Sequence, residues 1–226
     1  MAFVQGKGVD SGTVLSGTIT FNSPVAAGNA LLCFVRYGSA SSGNPTISDN
    51  VNAGNYTNQI VQNQTAFGDQ LVVAVMANTL AGTPTVTVTY TGTANHLIIG
   101  IAEYGGVAAA PIDVSNSINN MGSTTVTGAT KLTVNANDIL IAAAMIQDIG
   151  LTTWTENATG SNPASGWTNR LNIATDSLLH VSDNSVSATG TYGENWTVTQ
   201  TVASATGILA LKTAAVADVL MAQILT

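Results

Sequence analysis

The sequence predicts an all-β protein, an antiparallel β-sandwich of jelly-roll-like or immunoglobulin-like type. Three observations predict it. Apolar runs of strand length recur along the chain, separated by clusters of Gly, Asn, Ser, Thr and Pro. One of them, TVTVTY, shows the two-residue period of a strand with one covered face and groups Val86, Val88 and Tyr90. Before residue 213 nothing sustains a helical period.

In chain order the strand-like runs are SGTITF, ALLCFVRY, QLVVAVMA, TVTVTY and HLIIGIAEY, then ILIAAAMI, SLLHVS, NWTVTQTV and GILALK. Ala143 to Met145 has helical propensity, but the run around it has the length of a strand. LVVAVMA and ILIAAAMI are apolar at every position, and strands apolar on both faces need cover on both. Two architectures fit, tandem immunoglobulin-like sandwiches or one larger jelly-roll-like sandwich built from both halves, and these runs favour one compact unit with more than one packing layer.

The chain also reads twice. GNALL (28–32) aligns with NDILI (137–141), YTNQI (56–60) with WTNRL (167–171), VTVTY (86–90) with WTVTQ (196–200), and GIAEY (100–104) with GILAL (207–211). Four blocks in one order at nearly constant offset predict two related sandwich repeats of about 109 residues, 1–108 and 109–213. A short apolar C-terminal tail, 214–226, follows as an arm or helix. GGVAAAP (105–111) stands where a linker would fall, although it is short and apolar.

Composition narrows the function. Only 8% of residues are charged, and five Lys and Arg against twelve Asp and Glu leave a net charge of −7. Without a basic stripe, neither nucleic acid nor an anionic membrane is an expected partner. The single cysteine, Cys33, rules out an internal disulfide and a sulfur zinc cage, and within ALLCFV it reads as an inert buried thiol. The first residues carry no charged-then-apolar signal pattern, and no run approaches the roughly 20 residues of a membrane span. A soluble product made in the cytoplasm is expected.

Candidate chemical residues are few. His96 and His180 are the only histidines, and each reads as a strand residue with a satisfied ring nitrogen rather than as a base. GKGVDSG (6–12) precedes a strand, so it offers no helix N-terminus to a phosphate. Glu103, at the end of LIIGIAEY, reads as a carboxylate held by the backbone N–H groups of an adjacent turn. Asp49, Asn50, Asn52 and Asn55 bring oxygen donors into one loop, but one Asp among Asn residues is thin for calcium, and Asx turns explain the same composition. Sequons at Asn55, Asn63, Asn157 and Asn195 are what an Asn- and Thr-rich chain yields by chance. No catalytic residue, metal ligand or cofactor is expected, and the protein reads as a non-enzyme. Trp154, in the long loop 150–166, is the aromatic best placed for an exposed glycan contact. Tyr56 and Trp167 occupy equivalent places in the two repeats and read as core anchors.

After GILALK, Val216, Val219, Leu220 and Ile224 recur at helical spacing. So apolar a segment needs cover, from its own sandwich or from a neighbouring subunit. SDNVNAGNYT, VTVTY and AEYGGV together resemble a recurrent β-sandwich family of bacteriophage virion proteins and bacterial surface modules. Its marks are an Asp-Gly-Asn-(Trp/Tyr)-Thr turn, a Glu-Tyr-Ser-Gly-Val strand end and a closing Leu-Ala-Leu-Lys-like strand. Here Gly105 replaces the usual Ser, and the turn from Asp49 to Gly54 is longer. The resemblance implies a phage virion structural protein: a capsid decoration (cement) protein, or alternatively a tail, fibre or carbohydrate-binding module. The expected partners are the major capsid protein or other virion proteins and sister subunits, with a trimer favoured. The expected contacts are Phe3, Val4, Val216, Val219, Leu220, Ile224 and Leu225.

Overall fold

The structure, a computed structural model, describes residues 2–147, 153–156, 166–173 and 178–215. Among these residues it is all-β and antiparallel, with one short 3₁₀ turn at Ala40–Ser42 and no α-helix. The first part of the chain forms β1 (Ala2–Val14), β2 (Ser16–Thr20), β3 (Ala30–Tyr37), β4 (Thr46–Asp49), β5 (Thr57–Asn63), β6 (Gln70–Met76), β7 (Thr85–Thr89) and β8 (Asn95–Gly105). The second forms β9 (Val107–Val126), β10 (Lys131–Leu132), β11 (Ile139–Ile146), β12 (Trp154–Glu156), β13 (Thr168–Ile173), β14 (Leu179–Ser185), β15 (Thr191–Tyr192) and β16 (Trp196–Thr213).

Four sheets result. The largest sheet of the first part has the order β1-β8-β3-β6-β5, and a smaller sheet, β2-β7-β4, accompanies it. In the second part β9 pairs with β16, and the order continues β16-β11-β14-β13. The strand β12 pairs with the start of β16, and β10 pairs with β15.

Side-chain alternation explains the layering. Along β3, Leu31, Cys33 and Val35 join Ile19, Ile47, Val86 and Val88 of the small sheet in one apolar cluster. The intervening Leu32 and Phe34 join Ile141, Ala143 and Leu209 of the second part in another. The first large sheet is therefore covered on both faces, and β3 and β11 are buried at every position. On the far side of the second large sheet, Val126, Ala129, Tyr192 and Trp196 complete the cover. One core cluster thus draws on both parts of the chain, and a second lies within the first part.

Glycines set how closely the two large sheets approach. In the β1–β8 register Gly8 stands opposite Gly100. A Cβ at Gly8 would meet Ile173 Cγ1 at 2.4 Å, and one at Gly100 would meet Ile173 Cδ1 at 2.7 Å and Leu171 Cδ1 at 3.1 Å. Across the other side of the same interface, a Cβ at Gly207 would meet Ile60 Cδ1 at 2.8 Å. Gly100 and Gly207 head the aligned GIAEY and GILAL blocks, while Ile60 and Leu171 close the aligned YTNQI and WTNRL blocks. The two contacts thus exchange places between the two parts.

Replacing Gly8 by Ala is expected to cost about 1–3 kcal/mol through overpacking. Adding Ile173→Ala should make the pair less costly than the sum, because both changes act on one contact. Denaturant unfolding of the four proteins in the cycle measures this.

Side chains stitch the seam between β5 and β9. Ser115 Oγ donates to the Gln59 carbonyl (3.3 Å), Ser117 Oγ to Gln62 Oε1 (2.9 Å) and Asn119 Nδ2 to Thr65 Oγ1 (2.8 Å). Gln64, fully buried, donates to the carbonyls of Asn120 (2.7 Å) and Ser204 (3.2 Å). Two expectations are corrected here. The stretch 6–12 lies inside β1 rather than before a strand, because its glycines admit the side chains of β13. Residues 107–111 are the start of the 20-residue β9 rather than a linker.

Candidate functional site

The chain reaches its last described residue beside an open surface. Thr213 still pairs with Val107, and the Ala214 N–H donates to the Gly106 carbonyl (2.9 Å). Ala215 then lines a depression of about 340 Å³ that also includes Ala108, Ala110 and Lys212. Through Ala110 and Lys212 it continues into a cleft of about 360 Å³ whose apolar walls are Val75, Met76, Ala109, Pro111 and Ile112. Both parts of the molecule supply walls, and Lys212 is the cation at the rim. Val216, Val219, Leu220, Ile224 and Leu225 lie outside the described residues.

The N-terminal contact residues separate. The Phe3 ring meets Tyr104 edge-on at 5.7 Å, and the Arg170 guanidinium lies over it at 4.6 Å. Arg170 Nε in turn pairs with Asp183 Oδ2 at 2.8 Å, so Phe3 belongs to a cross-sheet cluster inside the chain. Val4 falls at the register shift between Phe3 and Gln5, and such a bulge turns a side chain away from the ladder. It is 53% exposed.

Trp154 is half-buried in β12. Its ring stacks on His180 at 4.8 Å with 14° between planes, and it meets Trp196 edge-on at 6.0 Å. One indole face is therefore occupied within the chain. Beneath it lies an acid–histidine network that no sequence motif announced. The carboxylate of Glu156 accepts from His180 Nε2 (2.7 Å) and hydrogen-bonds Glu194, which also accepts from Ser182 Oγ. Burial, then the neighbouring Glu156, pushes Glu194 up to about 10. Burial acts upward on Glu156 as well, but hydrogen bonds with His180 and Glu194 hold it below the ordinary carboxylate range. His180 and Ser182 are two apart on one face of β14, yet Ser182 donates to a carboxylic acid instead of to the imidazole. That is no activated nucleophile, and His180, Ser182 and Glu194 are all buried. Glu156 ends β12 whereas Glu194 lies in the connection between β15 and β16, so nothing in local spacing pairs them.

The remaining candidates are structural. Glu103 Oε1 accepts from the Ala26 N–H (2.9 Å) and Asn29 Nδ2 (2.6 Å), and Oε2 from Gln5 Nε2 (2.8 Å). His96 Nε2 bonds Asp10 Oδ1 at 2.8 Å. In the Asn-rich loop, Asp49 Oδ1 accepts from the N–H groups of Val51 and Asn52, and Asn50 and Asn52 accept from Thr85 and Leu80 N–H groups. The side-chain oxygens of Asp49, Asn50 and Asn52 are thus taken up by Asx turns and backbone. Among the described residues no three His, Cys, Asp or Glu side chains are arranged to hold a metal ion, and no helix is long and apolar enough to cross a membrane. Cys33 is buried, and burial pushes its thiol up.

Comparison with known proteins returned no match, either to a family model or to a curated protein sequence.

Proposed function

We propose that this chain is a bacteriophage virion structural protein, a capsid decoration protein that works by adhesion and carries no catalytic site. The observation that carries this reading is the open apolar cleft joined to the point where the apolar C-terminal segment departs. The cleft's exposed and partly exposed apolar residues, Met76, Ala109, Ala110 and Ile112, gain free energy when covered. In this reading the two parts are repeats of one sandwich, which the shared strand order and the exchanged glycine contacts support. Residues 214–226 act as an arm, and the exposed Val4 adds to the contact surface. The partners are the capsid and sister subunits, with a trimer as the assembly. Interfaces of roughly 800 Å² per partner, repeated by symmetry, suffice.

The test compares the native mass of the full chain with that of a chain ending at Ala215, by light scattering after size exclusion. The cut falls after Ala215 because Thr213 and Ala214 still bond to Val107 and Gly106. The expected result is a trimer or larger assembly for the full chain and a folded monomer for the shortened one. Equal masses would overturn the arm, and glycan screening around Trp154 would then take precedence.

A further inference from the structure

We infer that the cleft between β5 and β9 is the socket for residues 216–226 of a sister subunit, with Asp218 of that segment set against Lys212 at the rim. This inference rests on the adhesive reading and names the contact that would carry it. The cleft lies where two matching seams differ. β9 meets β5 on one side of the molecule, and β1 meets β13 on the other. Both β1 and β9 carry a bulge at the same register position. Phe3 pairs with Tyr104 and Gln5 with Glu103, just as Ile112 pairs with Leu211 and Val114 with Ala210. Tyr104 and Leu211 close the aligned blocks GIAEY and GILAL.

At the β1 seam the Phe3 ring sits edge-on to Tyr104 and beneath the Arg170 guanidinium. The matching positions at the β9 seam hold Ile112, Leu211 and Gln59, each a smaller side chain. There the cleft of about 360 Å³ opens, with Gln59, Ile112, Val75 and Met76 among its walls. Its volume lies in the range of roughly 300–1,000 Å³ that binding clefts occupy. Protein interiors are close-packed, so a corner left open between packed sheets forgoes contacts that a docked side chain restores.

The walls specify the occupant. Among the described residues lining the cleft, Lys212 is the one that carries a charge. Residues 216–226 are its complement, apolar at Val216, Val219, Leu220 and Ile224, with Asp218 as their one charge. Direction assigns the segment to a neighbour. Leu211 pairs with Ile112 and Thr213 with Val107, so the chain has already passed the cleft when it reaches Ala215. Entering its own cleft requires a reversal, and neither Val216 nor Ala217 is a turn former. A segment-in-cleft contact is heterologous, and such contacts close into a ring, as a trimer requires.

The experiment reads native mass by light scattering for the full chain, the chain ending at Ala215, and full-length Ile112→Phe, which puts into the cleft the ring that Phe3 supplies at the matching corner. The expected result is an assembly for the first and monomers for the other two. Mixing those two should restore association, since one brings the segment and the other the open cleft. Gln59→Arg, a change on the opposite wall, should act as Ile112→Phe does and guards against a folding defect in either variant. Asp218→Lys should raise the concentration for half-assembly by about tenfold or more, because it sets two lysines together. If Ile112→Phe and Gln59→Arg assemble like the wild type while the shortened chain is monomeric, the socket is overturned and the adhesive reading stands. A mixture that stays monomeric overturns the exchange between subunits. Equal masses for the full and shortened chains overturn the arm and the socket together.

Discussion

Replacing Asp69 by alanine is expected to cost about 3–5 kcal/mol of folding stability, the largest loss from any single side chain considered. Asp69 Oδ2 pairs with the Arg36 guanidinium, and the two residues are only 5% and 3% exposed. Arg36 projects from β3 towards the second large sheet, on the same face as Leu32 and Phe34. Without Asp69 the guanidinium stays in the core lacking its carboxylate, and the dielectric there gives it little relief. Denaturant unfolding at constant m-value measures the loss, and a change below about 1 kcal/mol would refute it. Replacing both partners by apolar residues of similar volume should cost much less, since the penalty is that of an orphaned charge rather than of a lost attraction.

Glu194→Gln should make the protein more stable above neutral pH and flatten its pH dependence. The folded chain keeps a proton on Glu194 up to about pH 10, whereas a free glutamate releases it near 4.5. Between those values unfolding releases a proton, so wild-type stability falls as pH rises, by up to about 1.4 kcal/mol per unit. Below pH 4.5 the group contributes no slope. Glutamine keeps a donor for Glu156 and an acceptor for Ser182 Oγ while carrying nothing to titrate. Melts from pH 5 to 9 should show the wild-type curve descending and the variant curve flat and higher at the alkaline end. Parallel curves would show that the proton resides elsewhere.

These two sites mark where the sequence stops being legible. The strands, the antiparallel sandwich and the burial of LVVAVMA and ILIAAAMI on both faces could be read directly, because periodicity and apolar runs report burial at each position. Glu103 could be read in part: the Ala26 N–H of a turn holds it as expected, but its other donors are the side-chain amides of Asn29 and Gln5, which come from remote parts of the chain. The edge strands were harder. β1 and β9 are themselves rich in Gly, Ser and Asn, so their alternation is polar against small and imitates loop composition. The buried acid pairs could not be read at all. Glu156 meets Glu194, and Asp113 meets Asp138, only after distant strands dock, and each residue alone resembles a surface carboxylate. Phe3, read as an outward contact, is claimed by Tyr104 and Arg170 for the same reason.

The doubly covered first sheet has a consequence for biosynthesis. Its inner face, with Leu32, Phe34 and Val73, is covered by residues as late as Leu209 and Leu211. At about 5–20 residues per second, the ribosome takes roughly 5–20 s to make the missing half. Throughout that interval the nascent first sheet presents a bare apolar face. Chaperone engagement should therefore concentrate on chains that have passed β8 but not yet completed β16.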